Sequence, residues 1–422
     1  MTWLLRKGRL LRLRLDDLAP RPLDARDVGD ATLLGMEPFK NLLAPHVAAG
    51  LAKHLVRAGK DRNVRIDAGE LARATIGLED VEMKARAERI ADALERVLPE
   101  TFDEAAGILE ATLAPQATTD DLASLRTTGS GVAGWIVWPL TLYVARRGGS
   151  NPKRALAALR EMTMRFSSEF AIRTFVAEHP KLTFQTLARW TRDPNAHVRR
   201  LVSEGSRPRL PWGKRLDALV TDPSPTLPLL EALRDDPSEY VRRSVANHLN
   251  DIAKDHPDRF AEILEAWLVD ASPERRRLLS HASRTLVKAG NPRVLRAFGL
   301  HRELEGTVTF RTSPKRVMFG KSLTLTLELA SSSKEPQKLV IDYVVHHVRQ
   351  NGSLSPKVFK GWTLTLGPGE RRSIERVHAF RPITTRRYYS GRHSVECRIN
   401  GCPAGSTEFE LQVPSDSKGE SL

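Results

Sequence analysis

Two cysteines in 422 residues, Cys397 and Cys402 on either side of an Asn400-Gly401 turn, are too few for a disulfide framework or a zinc site of sulfur ligands. A reducing cytoplasm fits that scarcity. The sequence also lacks an uninterrupted apolar run long enough to span a bilayer. Residues 1–35 mix Leu with Arg, reading WLLRKGRLLRLRL from Trp3 to Leu15, without the clean apolar stretch or small-residue cleavage site of a secretory signal. Asp16, Asp17 and Asp24 argue against an organelle transit peptide. These residues are expected to form a disordered extension, with Met36 as the working start, or alternatively a basic arm that touches nucleic acid. A disordered tail is expected over residues 415–422. Metal-ligand spacing is absent too, and His248 and His256 are expected to cap or pack helices.

Positive charge is what the sequence has in excess: 66 Lys and Arg against 51 Asp and Glu, a net +15. A polyanionic partner follows, because each cation placed on a phosphate releases counterions. With 41% hydrophobic and 28% charged residues the chain is neither a membrane protein nor wholly disordered. From Phe39 to about Phe298 apolar residues recur at helical spacing, as in Ala155, Leu156, Leu159 and Met162. Asn151-Pro152, Asp193-Pro194, Asp236-Pro237, Ser272-Pro273 and Asn291-Pro292 each read as a cap before a proline at the first helical position. After about Glu305 the period becomes two, with Leu323, Leu325, Leu327 and Leu329 on one face of a strand and Leu339, Ile341, Tyr343 and Val345 on another. About seven strands fit into residues 305–413, the size of a β-sandwich. The expected architecture is multi-domain: an all-α HEAT-like repeat solenoid over 36–303 followed by an all-β immunoglobulin-like sandwich over 305–414. The sandwich is itself basic, with 18 cations against 11 acids from Glu305 to Leu422.

The helical region repeats. DPNAHVRRLVSEG (Asp193 to Gly205) recurs 43 positions later as DPSEYVRRSVANH (Asp236 to His248) and more weakly as SPERRRLLSHAS (Ser272 to Ser283), a period near that of HEAT repeats. Such arrays are commonly protein scaffolds. Aligning on the arginine sets Arg165, Arg200, Arg243 and Arg277 in one column, suited to phosphates along a duplex. A second column holds Glu169, Glu204, Asn247 and His281.

Two carboxylates on a cationic face need a reason, since they repel DNA. One is ion pairing, Glu169 with Arg173 and Glu204 with Arg200 or Arg207. The other is chemistry: a fixed carboxylate stabilises the oxocarbenium-like sugar formed when a glycosidic bond breaks, or positions water against it. Nearby, Trp212 sits between Pro211 and Gly213 in a stiff, basic loop, where a π face could meet a cationic base or its sugar. Trp135, Trp138 and Trp190 read as core. In the sandwich, Arg386-Arg387-Tyr388-Tyr389 interleaves cations and rings; it is either a groove-entering loop or a solvated tip with a tyrosine on the sheet edge.

The blocks MEPFKNLL (from Met36), WPLTLYVARRG (from Trp138), MRFSSEFAIRTF (from Met164), DPNAHVRRLVSEGSRPRLPW (from Asp193), YVRRSVANHLNDIAKDHP (from Tyr240) and TTRRYYSGRH (from Thr384) together resemble the AlkC-type DNA alkylation-repair glycosylases. The likeness spans residue 36 to about 413; Thr174 departs from it, standing where that family's motif has proline. The resemblance implies a HEAT-like solenoid with an immunoglobulin-like domain. It implies monofunctional release of positively charged N-alkylated bases, 3-methylcytosine, 3-methyladenine and 1-methyladenine, from double-stranded DNA by a monomer, without deep base flipping. It puts Glu169 and Glu204 in the catalytic carboxylate positions with Trp212 beside the lesion. The expected DNA-binding residues are Arg165, Arg173, Arg200, Arg207, Arg243, Asn247, Arg277, His281, Arg386 and Arg387, with no metal or other cofactor. The rival expectation is a silent DNA-binding solenoid or protein scaffold, which has no use for the two acids.

Overall fold

The computed structural model describes residues 39–116, 121, 124–300, 303–383 and 386–414; the expected extension over 1–35 and the tail from 415 lie outside them. The chain divides into two compact units between His256 and Pro257. The first unit is helical: α1 (Pro45–Lys60), α2 (Ala68–Arg73), α3 (Met83–Val97), α4 (Phe102–Thr112), α5 (Val137–Arg147), α6 (Pro152–Thr163), α7 (Ile172–Glu178), α8 (Pro180–Trp190), α9 (Ala196–Gly205), α10 (Asp217–Thr221), α11 (Leu227–Leu233) and α12 (Glu239–Asp255). Apolar residues at three and four spacing line its core; Leu156 and Leu159 of α6, Leu201 of α9 and Leu249 of α12 are at most 1% exposed.

The Asp-Pro signals act in two ways. Asn151 caps α6 as its spacing predicts, accepting from Arg154 N. Asp193 and Asp236 lie two residues ahead of the true caps, Asn195 and Ser238. Their carboxylates instead receive arginines from the preceding helices. Arg160 Nη2 reaches Asp193 Oδ2 at 2.7 Å, and Arg199 Nε reaches Asp236 Oδ2 at 2.6 Å. The same Arg199 donates to the carbonyls of Asp193 and Pro194, so one guanidinium stitches its own repeat to the next. This explains why Asp-Pro and Val-Arg recur together 43 positions apart.

The second unit begins with four helices, α13 (Pro257–Leu268), α14 (Pro273–Ala282), α15 (Arg284–Lys288) and α16 (Pro292–Ala297), and continues into eight strands. Here too Ser272 and Asn291 cap their helices through backbone N–H groups. The strands are β1 (Gly306–Ser313), β2 (Arg316–Met318), β3 (Ser322–Ser331), β4 (Gln337–Val348), β5 (Leu354–Leu366), β6 (Arg371–Ala379), β7 (Gly391–Ile399) and β8 (Cys402–Gln412). They form a three-stranded sheet, β1-β3-β6, and a five-stranded sheet, β2-β8-β7-β4-β5. The alternating leucines of β3 and the Leu339, Ile341, Tyr343 and Val345 face of β4 build the common core. The switch from helix to strand at residue 305 is therefore not the edge of the compact unit: α15 and α16 meet the sandwich where Gly290 and Gly401 touch backbone to backbone. A Cβ on Gly401 would fall 2.2 Å from Gly290 Cα. Cys397 is buried in the core, where burial, with Asp342 and Glu396 nearby, pushes its thiol up to about 12, while Cys402 is half-buried. Among the described residues, no helix is long and apolar enough to cross a membrane.

Candidate active site

The two glutamates reach one place from different kinds of backbone. Glu204 stands on the last turn of α9, followed by Gly205, where a Cβ would lie 2.4 Å from Ile172 Cγ2; the missing side chain lets the end of α9 rest directly on α7. Glu169 lies in the loop between α6 and α7. Ser167 fixes it there: Ser167 Oγ donates to Glu169 Oε2 at 2.6 Å and accepts from Glu169 N at 3.3 Å.

Arg200, one turn before Glu204, joins the acids. Its Nη1 donates to Glu169 Oε2 at 2.8 Å and its Nη2 lies 3.8 Å from Glu204 Oε2. The guanidinium rests on the ring of Tyr240, 5.0 Å from its centroid, and the Tyr240 hydroxyl lies 3.4 Å from His197 Nδ1. Glu204 is surrounded more completely. Oε1 accepts from Arg207 Nη1 at 2.6 Å and Oε2 from Ser244 Oγ at 2.6 Å, while Arg207 Nε donates to Asp251 Oδ2 at 2.8 Å. By contrast, Glu169 Oε1 carries no hydrogen bond from the described residues.

Burial at 5% exposure would by itself raise the carboxyl of Glu204, but Arg200, Arg207 and the hydrogen bonds from Ser244 and Arg207 outweigh it and hold Glu204 below the usual carboxylate range. Burial likewise opposes the charge of Arg200, yet Glu169 foremost, with Tyr240 and Glu204, raises it above its ordinary value. Burial pushes the Tyr240 phenol up to about 12, so it stays protonated beneath the cation.

Trp212 follows on the loop from α9 to α10. It is 71% exposed, and its backbone takes a left-handed φ of 62°, which a residue other than glycine seldom adopts. Among the described residues no group of His, Cys, Asp and Glu is placed to hold a metal ion.

Comparison with known proteins agrees along most of the chain. Residues 307–413 match the family model of the C-terminal Ig-like domain of the uncharacterised protein YhaZ. The uncharacterized protein YhaZ of Bacillus subtilis (strain 168) is 37% identical over 342 residues, 80% of this chain and 90% of that protein. The solved structure of Pseudomonas fluorescens alkylpurine DNA glycosylase AlkC, bound to DNA containing an abasic site analog, is 36% identical with a TM-score of 0.79, covering 88% of this chain and 99% of AlkC. The chain belongs to the AlkC-type family.

Within this AlkC-type chain, the arginine column does not survive intact. Arg165 lies beyond the end of α6 and Glu169 in a loop, whereas Arg200 and Glu204 are inside α9, so the spacing of 35 does not join equivalent positions. The spacing of 43 does: His197 and Tyr240 align and their rings touch, with centroids 5.5 Å apart. Four arginines expected on phosphates turn inward instead. Arg165 donates from Nε to Ala114 O at 2.6 Å and from Nη1 to Glu161 O at 3.1 Å. Arg173 is 1% exposed and holds backbone carbonyls; it is not the partner of Glu169. Arg200 and Arg207 hold the carboxylates, as the ion-pairing alternative had it for Glu204. Arg243 and Arg277 are open to solvent, each pairing with a glutamate on its own helix, Glu239 and Glu274. Asn247 is half-buried on α12, and His281 is half-buried on α14 in the second unit. Arg386 is half-buried and Arg387 exposed, 5.9 Å from the Tyr389 ring, while Tyr388 packs against Phe319 and Phe380 of the sandwich.

Trp138 and Trp190 are buried and Trp135 half-buried against Phe166, as expected of core rings. Thr174, the departure from the family motif, lies in the first turn of α7 and donates its N–H to Ala171 O at 3.2 Å, a bond proline could not make. Sequence reasoning missed Ser167, Tyr240, Ser244 and Asp251. The one signal for Tyr240 was its alignment with His197.

Proposed function

We propose that this chain is a monofunctional DNA glycosylase that hydrolyses the N-glycosidic bond of cationic alkylated bases in double-stranded DNA and leaves an abasic site. Its substrates are 3-methyladenine, 3-methylcytosine and 1-methyladenine, taken by a monomer without deep base flipping. The observation that carries this reading is the gathering of Glu169 and Glu204 on one guanidinium, with an exposed, backbone-strained Trp212 on the loop that follows, in a chain similar to an alkylpurine DNA glycosylase.

An alkylated ring nitrogen makes the base positive. When the bond from C1′ to the base breaks, the bonding electrons leave with the base, which departs neutral and needs no proton from the protein. The cation left on the sugar is stabilised by carboxylate charge, and water adds at C1′ while its proton passes to a carboxylate. Glu169 suits that role, since its side chain is only partly buried and its Oε1 accepts no hydrogen bond from the described residues. Glu204, with both oxygens engaged, supplies fixed negative charge and orients Arg200 and Arg207. Trp212 presents a π face to the lesion or its sugar. The DNA contacts are assigned to Arg243, Asn247, Arg277, His281, Arg386 and Arg387, of which Arg243, Arg277 and Arg387 are exposed.

The test is a duplex with one 3-methyladenine or 3-methylcytosine incubated with purified protein, with free bases identified by mass spectrometry. The expected result is free methylated base and a strand that breaks only after alkali. Tight DNA binding with no released base would leave the silent solenoid as the correct reading. Equal release by wild type and the Glu169→Gln, Glu204→Gln double variant would remove the carboxylates from the chemistry.

A further inference from the structure

Arg173 is among the largest fully buried side chains, at 1% exposure, and among the described residues no carboxylate hydrogen-bonds to it. Its partners are carbonyl oxygens: Nε donates to Lys214 O at 2.6 Å, Nη1 to Gly205 O at 3.1 Å and Arg207 O at 2.6 Å, and Nη2 lies 3.5 Å from Pro208 O. Burial, with Arg207 nearby, pulls the guanidinium down to about 10, so it remains a cation. A buried charge whose hydrogen bonds all go to neutral carbonyls, with Asp251, Glu169 and Glu204 acting on it only through space, is an expensive device. What it holds explains its presence. Gly205 closes the helix that carries Glu204, and residues 207, 208 and 214 flank Trp212 on both sides.

We infer that Arg173 is a positioning residue that fixes Trp212 relative to Glu204 by gathering the loop carbonyls on one planar fork. The inference rests on the proposed glycosylase reading for its kinetic consequence and on backbone geometry alone for its structural one. Within the loop Gly213 N donates to Leu210 O at 3.1 Å and Leu216 N to Pro208 O at 3.2 Å, and Arg173 adds a grip on the carbonyls of residues 207, 208 and 214 on both sides of the left-handed tryptophan. Arg86 offers a comparison within the same unit. It is fully buried and donates to the carbonyls of Val81, Lys40 and Glu79, stapling a loop that carries none of the site residues.

The experiment compares Arg173→Met, Arg173→Lys and Arg86→Met in the full chain, each alone and the Arg173 variants also with Trp212→Ala. Base release from a 3-methyladenine duplex gives kcat and KM, and hydrogen exchange follows the Gly213 and Leu216 amides. Arg173→Met is expected to lower kcat at least tenfold in the wild-type background and less than threefold in the Trp212→Ala background, with Arg173→Lys between. Exchange at the two amides should rise at least tenfold. Arg86→Met should lower the melting temperature while leaving kcat and both amides unchanged. Equal losses from Arg173→Met with and without Trp212, or a parallel kcat loss in Arg86→Met, would reduce Arg173 to a general stabiliser and overturn the inference. If Arg173→Met does not fold, Arg173→Lys carries the same comparison. Unchanged exchange in a folded Arg173 variant overturns it even if the wild type releases no base, whereas raised exchange with an inactive wild type sinks only the glycosylase reading.

Discussion

Replacing each glutamate by glutamine should separate chemistry from stability. Glu204 is 5% exposed and both oxygens are bonded, one to Arg207 and one to Ser244. A glutamine there can keep its oxygen toward Arg207 but must turn its NH₂ to Ser244, and the buried arginines lose a counter-charge. Orphaning a buried charge costs about 3–5 kcal/mol. In this case Arg207 keeps Asp251 and Arg200 keeps Glu169, so roughly half remains, about 2 kcal/mol. For a helical unit of this size that is a fall of roughly 4–8 °C in melting temperature. Glu169, with a half-buried side chain and one oxygen that accepts no hydrogen bond from the described residues, should cost about 1 kcal/mol or less on the same change. Base release should nevertheless fall on the order of 100-fold or more in Glu169→Gln, the size expected when a positioned acid–base group is lost. Calorimetry and single-turnover release on the same preparations read both quantities. A Glu169→Gln protein that melts as low as Glu204→Gln, or that keeps most of its turnover, would refute the division of roles.

Three further outcomes follow from the same structure. Tyr240→Phe, which keeps the ring under Arg200, should release base near the wild-type rate, whereas Tyr240→Leu should lose about fivefold, matching a cation–π contact of about 1 kcal/mol; identical rates would show that the ring does not hold the guanidinium. Burial pulls His378 of the sandwich down to about 4. The unfolded chain therefore takes up a proton as pH falls below about 6.5 while the folded sandwich resists it. Stability should drop between about pH 6.5 and 4 by up to the order of 3 kcal/mol, and a His378→Gln variant should flatten that slope in urea titrations. Limited proteolysis of a fragment ending at Glu303 should trim it back toward His256, because α13 to α16 belong to the same compact unit as the sandwich; equal resistance of fragments ending at 256 and 303 would contradict that grouping.

The sequence displayed the fold well because its signals are local. Caps such as Asn151, Ser272 and Asn291 act within one turn, and the leucines of β3 alternate in a period only a strand produces. Asp193 and Asp236 misled by two residues because their carboxylates answer to arginines from other helices, a partner that spacing cannot show. The acids stood out as negative charge on a basic face. The direction in which each arginine points did not, since composition reports a charge without its orientation. Arg165 and Arg200 look alike in the sequence, yet one binds the carbonyl of Ala114 and the other a carboxylate. Ser244 was hidden because a serine meets Glu204 across 40 residues and leaves no pattern along the chain.

Methylating agents attack proteins as well as DNA, and they favour thiolate sulfur. With the Cys397 thiol driven far above neutral pH in a closed core, that sulfur is a poor nucleophile, and Cys402 alone is left within reach of solvent. Of the two sulfurs in this chain that could form a thiolate, only the one on Cys402 is therefore placed to meet such an agent.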